Sequence, residues 1–436
     1  MNVELITILL FSSLFSLIFL GVPVAFALGA VSIIFLTIFT GPQSLFMIPT
    51  IIFKQMNPLL LSVPLFLLMA NMLERSGIAE DLYEAMHKCL GSLNGGLAIG
   101  TVLIGTIFAA ISGITGTATV TMGLIALPSM LKRDYNKHIV VGSIMAGGAL
   151  GIVIPPSVDM IIYASATGES IGKLFFGGLG PGIMIAIMHM LYIGIRCTLK
   201  PSLGPAVSKK ENINLKEKIQ YLKPIAGPLV LIVVVLGVIY LGIATPTEAA
   251  AVGALGVFVL SILNKKNRLN WTMATSALQR TLRLTCMVLW LVGAASVFNA
   301  CFIRLGARDL IIKLIVGADL NRWVVLIIIQ ITIFILGMVM DDYAIILLAA
   351  PIYLPIIKSL GFDTLWFGIL FILNIQAAFL TPPYGFNLFY MKGIVPKEIT
   401  TLDLYKSVIP FVIIQMIGLI LVMIFPKVAT WIPSLL

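Results

Sequence analysis

Apolar runs of bilayer-crossing length follow one another along almost the whole chain, from Leu5 to Phe425. About 20 such residues span the hydrocarbon core as a helix. Lipid then obliges every backbone N–H and C=O to find a partner inside the protein. The starting constraint is therefore an all-α polytopic membrane protein. Composition agrees, with 60% hydrophobic and 11% charged residues, against about 45–50% and 25% in soluble domains. A water-facing globule is excluded. The 28 Lys+Arg exceed the 18 Asp+Glu to give a net charge of +10. These basic residues sit between apolar runs, where they set membrane orientation rather than grip nucleic acid.

Ten full passes are expected, at about 5–20, 22–40, 56–73, 138–163, 174–195, 226–243, 247–264, 284–303, 364–390 and 407–425. The first lacks a basic leader and reads as a retained helix. Two longer runs, 95–131 and 322–357, are broken by Ser112-Gly113-Ile114-Thr115-Gly116 and by Asp341-Asp342. Each is either two spans or a re-entrant hairpin. The segment 196–223 carries Arg196, Lys200, Lys209, Lys210, Lys216, Lys218 and Lys223, and 264–283 carries Lys265, Lys266, Arg268, Arg280 and Arg283. Both become cytoplasmic loops under the positive-inside rule. If the two broken runs are hairpins, the N-terminus is outside, the first opens inward and the second outward. Arg304, Arg308, Lys313 and Arg322 then fall outside, on a short amphipathic stretch from which long side chains snorkel. The stretch 72–90 mixes charged and apolar residues and reads as an amphipathic arm at the membrane surface.

Sliding the chain against itself superposes Leu127-Pro128 on Leu354-Pro355, Pro155-Pro156 on Pro382-Pro383, and Tyr163 on Tyr390. The order of parts repeats as well: three passes, a broken run, two passes. An odd number of passes per half turns the second half upside down. The division is residues 1–223 and 224–436, each with scaffold helices, a hairpin and a broken helix. Inverted repeats with broken elements at matching places mark secondary transporters, whose site lies at the repeat interface.

The broken elements carry the chemistry. Proline has no N–H for the carbonyl four residues earlier, so Pro155 and Pro156 release the carbonyls of Gly151 and Ile152. Pro382 and Pro383 likewise release those of Ala378 and Phe379. Carbonyls freed in this way can coordinate a desolvated cation. The tip 112–117 adds hydroxyls and helix N-termini, suited to sodium or to a substrate carboxylate. Acids at membrane depth are functional suspects, so Asp341 and Asp342 at the other tip line the site or cap a helix. Thr115, Ser157, Asp159, Asp341 and Asn387 are taken as the substrate-lining set.

The order and spacing of Gly21-Val-Pro-Val-Ala-Phe-Ala-Leu-Gly29, Ser112-Gly113, Gly151-Ile-Val-Ile-Pro-Pro-Ser157, Thr245-Pro-Thr-Glu-Ala249 and Leu380-Thr-Pro-Pro-Tyr-Gly-Phe-Asn387 are specific together. The chain resembles the large membrane subunit of tripartite ATP-independent periplasmic (TRAP) transporters over nearly its whole length. Its nearest likeness is a subgroup labelled for mannitol or chloroaromatic compounds. The resemblance implies an elevator-type transporter in a bacterial inner membrane, coupled to Na+ and needing no organic cofactor. It implies a small four-helix membrane subunit and a periplasmic binding protein that delivers an organic acid. By motif, one sodium site uses Ser112, Gly151, Ile154 and Pro156, and the other uses Gly337, Ala378, Thr381 and Tyr384. Ile114 departs from the pattern, standing where the family often has a serine.

An enzyme is not expected. The four cysteines and three histidines are scattered without CxxC or HExxH spacing. Gly168-Glu-Ser-Ile-Gly-Lys173 is too short between its glycines for a phosphate loop. A stand-alone sodium–carboxylate carrier and a sodium–proton antiporter using Asp159, Asp341 or Asp342 are the competing readings.

Overall fold

The computed structural model describes residues 2–113, 115–206, 223–263, 270–317, 320–383 and 385–436. The regular structure among them is helical. Lys209, Lys210, Lys216, Lys218, Lys265, Lys266 and Arg268 lie outside the described residues.

The chain opens with α1 (Val3–Phe19) and α2 (Val24–Thr40), followed by the short α3 (Met47–Gln55). The stretch 72–90 covers the end of one helix and the whole of the next. Helix α4 (Ser62–Arg75) stops short of Gly77, whose φ of 72° separates it from α5 (Ile78–Leu90). The apolar face of α5, carrying Ile78, Leu82, Tyr83 and Met86, is buried, and the helix packs on the next one.

Both broken runs fold as helical hairpins. The first joins α6 (Gly96–Ser112) to α7 (Thr115–Leu131). A broken helix follows: α8 (Lys137–Ala149), an unwound stretch at 150–157, and α9 (Val158–Thr167). After α10 (Ile171–Leu199) come α11 (Lys223–Tyr240) and α12 (Pro246–Leu263). The Thr245-Pro246-Thr247-Glu248 motif is a helix start. The Glu248 carboxylate accepts from the Thr245 N–H at 2.7 Å, and the Thr245 hydroxyl accepts from the Glu248 N–H at 3.3 Å, as in a capping box.

The pass expected at 284–303 is a 34-residue helix, α13 (Trp271–Arg304), capped by the Asn270 side chain. Arg280 and Arg283 are therefore helical and not in a loop. The Arg280 guanidinium bonds both Glu74 carboxylate oxygens at 2.8 Å, which brings α13 against α4. Next come α14 (Ala307–Gly317) and the second hairpin, α15 (Arg322–Gly337) with α16 (Asp342–Ser359). The second broken helix is α17 (Thr364–Phe379), an unwound turn at 380–385, and α18 (Phe386–Lys392). Helix α19 (Thr401–Ile424) begins with a Thr400–Asp403 capping box. Among the described residues six stretches are long and apolar enough to cross a bilayer: Pro58–Arg75, which contains α4, and α10, α12, α13, α16 and α19.

Packing places the site. Helix α8 lies against α6 and α7 of the first hairpin, and α17 against α15 of the second. Past each break the chain crosses over, so that α9 packs on α16 and α18 packs on α7. Each hairpin thus holds the near half of one broken helix and the far half of the other.

Candidate functional site

At the first hairpin tip, Gly113 ends α6 in the left-handed region, with φ 60°. A β-carbon there would stand 2.7 Å from the Pro156 carbonyl oxygen. The Gly113 carbonyl in turn accepts from the Val158 N–H at 3.4 Å. Only glycine supplies both the backbone conformation and this approach. One turn back, Gly151 rests on Ala109, where a β-carbon would meet that methyl at 3.2 Å. Ser112, Gly151 and Pro156 are therefore brought together by direct packing of tip on break. Ile154 turns its side chain toward Gly182 of α10, and its N–H donates to Leu150.

The second tip repeats the contact. Gly337 lies so close to Ala378 that an added β-carbon would collide with the alanine methyl. Thr381 follows one turn later, and its hydroxyl donates to the Ala377 carbonyl at 2.8 Å, leaving the oxygen lone pairs to accept. Tyr384 lies outside the described residues. Both unwound stretches contain a cis Pro–Pro bond, at 155–156 and 382–383.

Two of the carbonyls that the prolines deprive of their usual donors find others. The Ala378 carbonyl accepts from the Thr381 N–H at 2.9 Å, because the helix tightens to i→i+3 bonding before it stops. The Ile152 carbonyl accepts from the Ser157 hydroxyl at 2.6 Å. That Ser157 oxygen also accepts from the Met160 N–H and caps α9. Ser157 thus holds the break together. A carbonyl has two lone pairs, so one bond does not close Ala378 to an ion.

The remaining candidates gather around the crossover. Thr115 starts α7 with a buried hydroxyl that has no hydrogen-bond partner among the described residues. Asp341 caps α16 by accepting from Ala344 N–H at 3.0 Å. It also faces a cavity of about 610 Å³ walled by Pro23, Phe26, Met287 and Trp290 of the α2 and α13 regions. Asn387 is fully buried, and its amide donates to the Met145 carbonyl at 2.9 Å. Asp159 is 1% exposed, and its carboxyl lies close to that of Asp342. Sequence reasoning had not paired those two acids, nor placed Tyr390 in the site. The Tyr390 ring covers Gly116 of the first tip, so closely that a β-carbon there would stand 2.7 Å from it. The pattern that aligns Tyr390 with Tyr163 was the available signal.

A model of the tripartite ATP-independent periplasmic transporter DctM component matches residues 11–428. The chain belongs to the DctM family. The C4-dicarboxylate TRAP transporter large permease DctM of Vibrio cholerae is 30% identical, over 98% of this chain and 97% of that protein. The ectoine TRAP transporter large permease TeaC of Halomonas elongata is 29% identical, over 98% and 99%. Among solved structures, the YdaH transporter of Alcanivorax borkumensis, described as having an unusual topology, superposes with a TM-score of 0.60. It covers 90% of this chain and 89% of its own, at 15% identity, and so shares the fold. This DctM-family chain is accordingly a multi-pass transport protein of the inner membrane, the large permease component of a TRAP system. Its hairpin tips and paired breaks lie within the matched region.

Proposed function

We propose that this permease moves a small organic acid inward together with sodium. The observation that carries the reading is the seating of each hairpin tip on a proline break, Gly113 on Pro156 and Gly337 on Ala378. A break offers backbone oxygens at a depth where nothing else solvates a cation. A tip seated on it completes the oxygen shell with Ser112 on one side and Thr381 on the other. Ser112, Gly151, Ile154 and Pro156 make the first sodium cradle; Gly337, Ala378, Thr381 and Tyr384 make the second.

The substrate lies between the cradles, beside Thr115, Asp159, Asp341 and Asn387, with Ser157 shaping the wall. The N-terminus of the 17-residue α7 at Thr115 presents N–H groups and a positive dipole end to an anionic headgroup. Because α9 and α18 each cross to the opposite hairpin, the two halves form one body that moves as a unit past the α13 scaffold, as in an elevator. The halves 1–223 and 224–436 are the inverted repeats of this body and its supports. A small four-helix membrane subunit and a periplasmic binding protein complete the system, and the binding protein shares in choosing the acid. The relatives named for C4-dicarboxylates and for ectoine support a carboxylate-bearing solute.

The test is uptake into proteoliposomes holding this chain and its small subunit, with labelled organic acids, with and without an inward sodium gradient and the binding protein. Uptake that needs both supports the reading. Uptake driven by sodium without the binding protein makes the chain a stand-alone carrier. Sodium–proton exchange without any organic solute makes it an antiporter.

A further inference from the structure

We propose that Asp159 and Asp342 together hold a third monovalent cation, sodium or a proton, at a site separate from the two proline breaks. The two carboxyls come from opposite halves of the chain, one from the start of α9 and the other from the start of α16, and they meet where those helices pack. The two carboxyls are close enough to act directly on each other. One oxygen of each has a distinct fate. Asp342 Oδ1 accepts from the Tyr343 N–H at 3.0 Å, whereas Asp159 Oδ1 is buried without any partner among the described residues.

The other ionisable groups that face the pair are Asp341, Tyr343 and Tyr390. Arg280 reaches Tyr390, but its guanidinium is committed to Glu74. Among the described residues no Lys, Arg or His acts on either carboxyl. Two bare carboxylates in contact repel, and burial removes the water that would screen them. An unpartnered buried Oδ1 also needs a donor or a metal. One cation between the two groups answers both demands.

The position gives the site a task. It ties α9 of the first half to the second hairpin, so occupancy fastens the two halves of the moving body. It also cancels negative charge beside the place proposed for an anionic substrate. The third site does not depend on the proline cradles: it follows from the acids alone, and it survives if transport proves not to be sodium-driven.

The test uses the purified full chain with its small subunit. Radiolabelled Na+ binding and infrared spectra of carboxyl groups are compared for wild type, Asp159→Asn, Asp342→Asn and the double variant. If sodium is the occupant, the double variant binds one ion fewer per chain. If a proton is the occupant, sodium stoichiometry is unchanged and the band of a buried protonated carboxyl disappears in the double variant. Unchanged sodium stoichiometry with no such band in wild type overturns the proposal. The asparagines keep shape and hydrogen bonding, and a monodisperse elution profile confirms folding. Should the double variant not fold, each single variant gives the same readings, with Na+ affinity weakened at least tenfold or the band lost. Thr381→Ala, which alters a proline cradle, leaves this site intact and so separates the two proposals.

Discussion

The side-chain amide of Asn387 donates to the main-chain carbonyl of Met145 at 2.9 Å, tying the far half of the second broken helix to the near half of the first. Both residues are fully buried, and the Asn387 Oδ1 has no partner among the described residues. Asn387→Ala removes the bond and an orphaned acceptor together. A net loss of about 1 kcal/mol is expected from one neutral hydrogen bond. Asn387→Asp costs more, since it keeps the buried acceptor, loses the donor and adds charge. Thermal melts in detergent should rank wild type above alanine and alanine above aspartate. Equal melting temperatures would remove Asn387 as a tie between the halves.

The contact of Gly337 with Ala378 predicts a compensated pair. Gly337→Ala places a methyl where the Ala378 methyl already is, and overpacking of this kind costs about 1–3 kcal/mol. Deleting the opposing methyl with Ala378→Gly should restore most of the loss in the double variant. A melting or uptake double-mutant cycle checks this, and independent additive losses would show that tip and break do not touch in the working protein. Gly113→Ala should have no such rescue, because its obstacle is the Pro156 main-chain oxygen and its φ is 60°.

Glu74 and Arg280 join α4 to α13 through one guanidinium nitrogen that donates to both carboxylate oxygens at 2.8 Å, with side chains 17% and 38% exposed. Beside it the buried Asn71 amide donates to the Thr281 hydroxyl at 3.0 Å. A partly exposed ion pair contributes about 0.2–1 kcal/mol, so Glu74→Gln should lower stability only slightly. The exchange Glu74→Arg with Arg280→Glu should recover what each single reversal loses. Stability measured across the four proteins decides the matter, and no recovery in the double reversal would deny the pair any coupling.

Much of this arrangement was readable in the chain. A double proline inside an apolar run has no other local meaning than a break, and Ser112-Gly113 or Asp341-Asp342 inside such a run marks a tip. What resisted reading was decided by partners remote in sequence. The crossover of α9 onto α16 and of α18 onto α7 leaves no periodic trace, so Asp159 could be suspected but not paired with Asp342. Arg280 and Arg283 read as loop residues because charge breaks an apolar window, although Asn270 stood in place as a helix cap. The Ala378 carbonyl was expected without a donor, since proline rules count only i→i+4 bonds. The helix end tightened and Thr381 N–H took it.

Thr381 therefore carries the sharpest prediction for the second cradle. Its hydroxyl hydrogen is spent on Ala377 at 2.8 Å, which turns the oxygen lone pairs outward as acceptors, and its N–H is spent on Ala378. Thr381→Ser keeps that oxygen and should leave sodium activation nearly unchanged. Thr381→Val keeps the shape and removes the oxygen. Losing one hydroxyl ligand among several carbonyls should raise the half-saturating sodium concentration about tenfold, equivalent to ~1.4 kcal/mol. Maximal uptake at saturating sodium should be preserved, because the carbonyls remain and the helix stop does not need the hydroxyl. Sodium titration of proteoliposome uptake separates the cases. A valine variant with wild-type sodium dependence would leave Ala378 and Gly337 as main-chain ligands and assign the Thr381 hydroxyl to the Ala377 carbonyl alone.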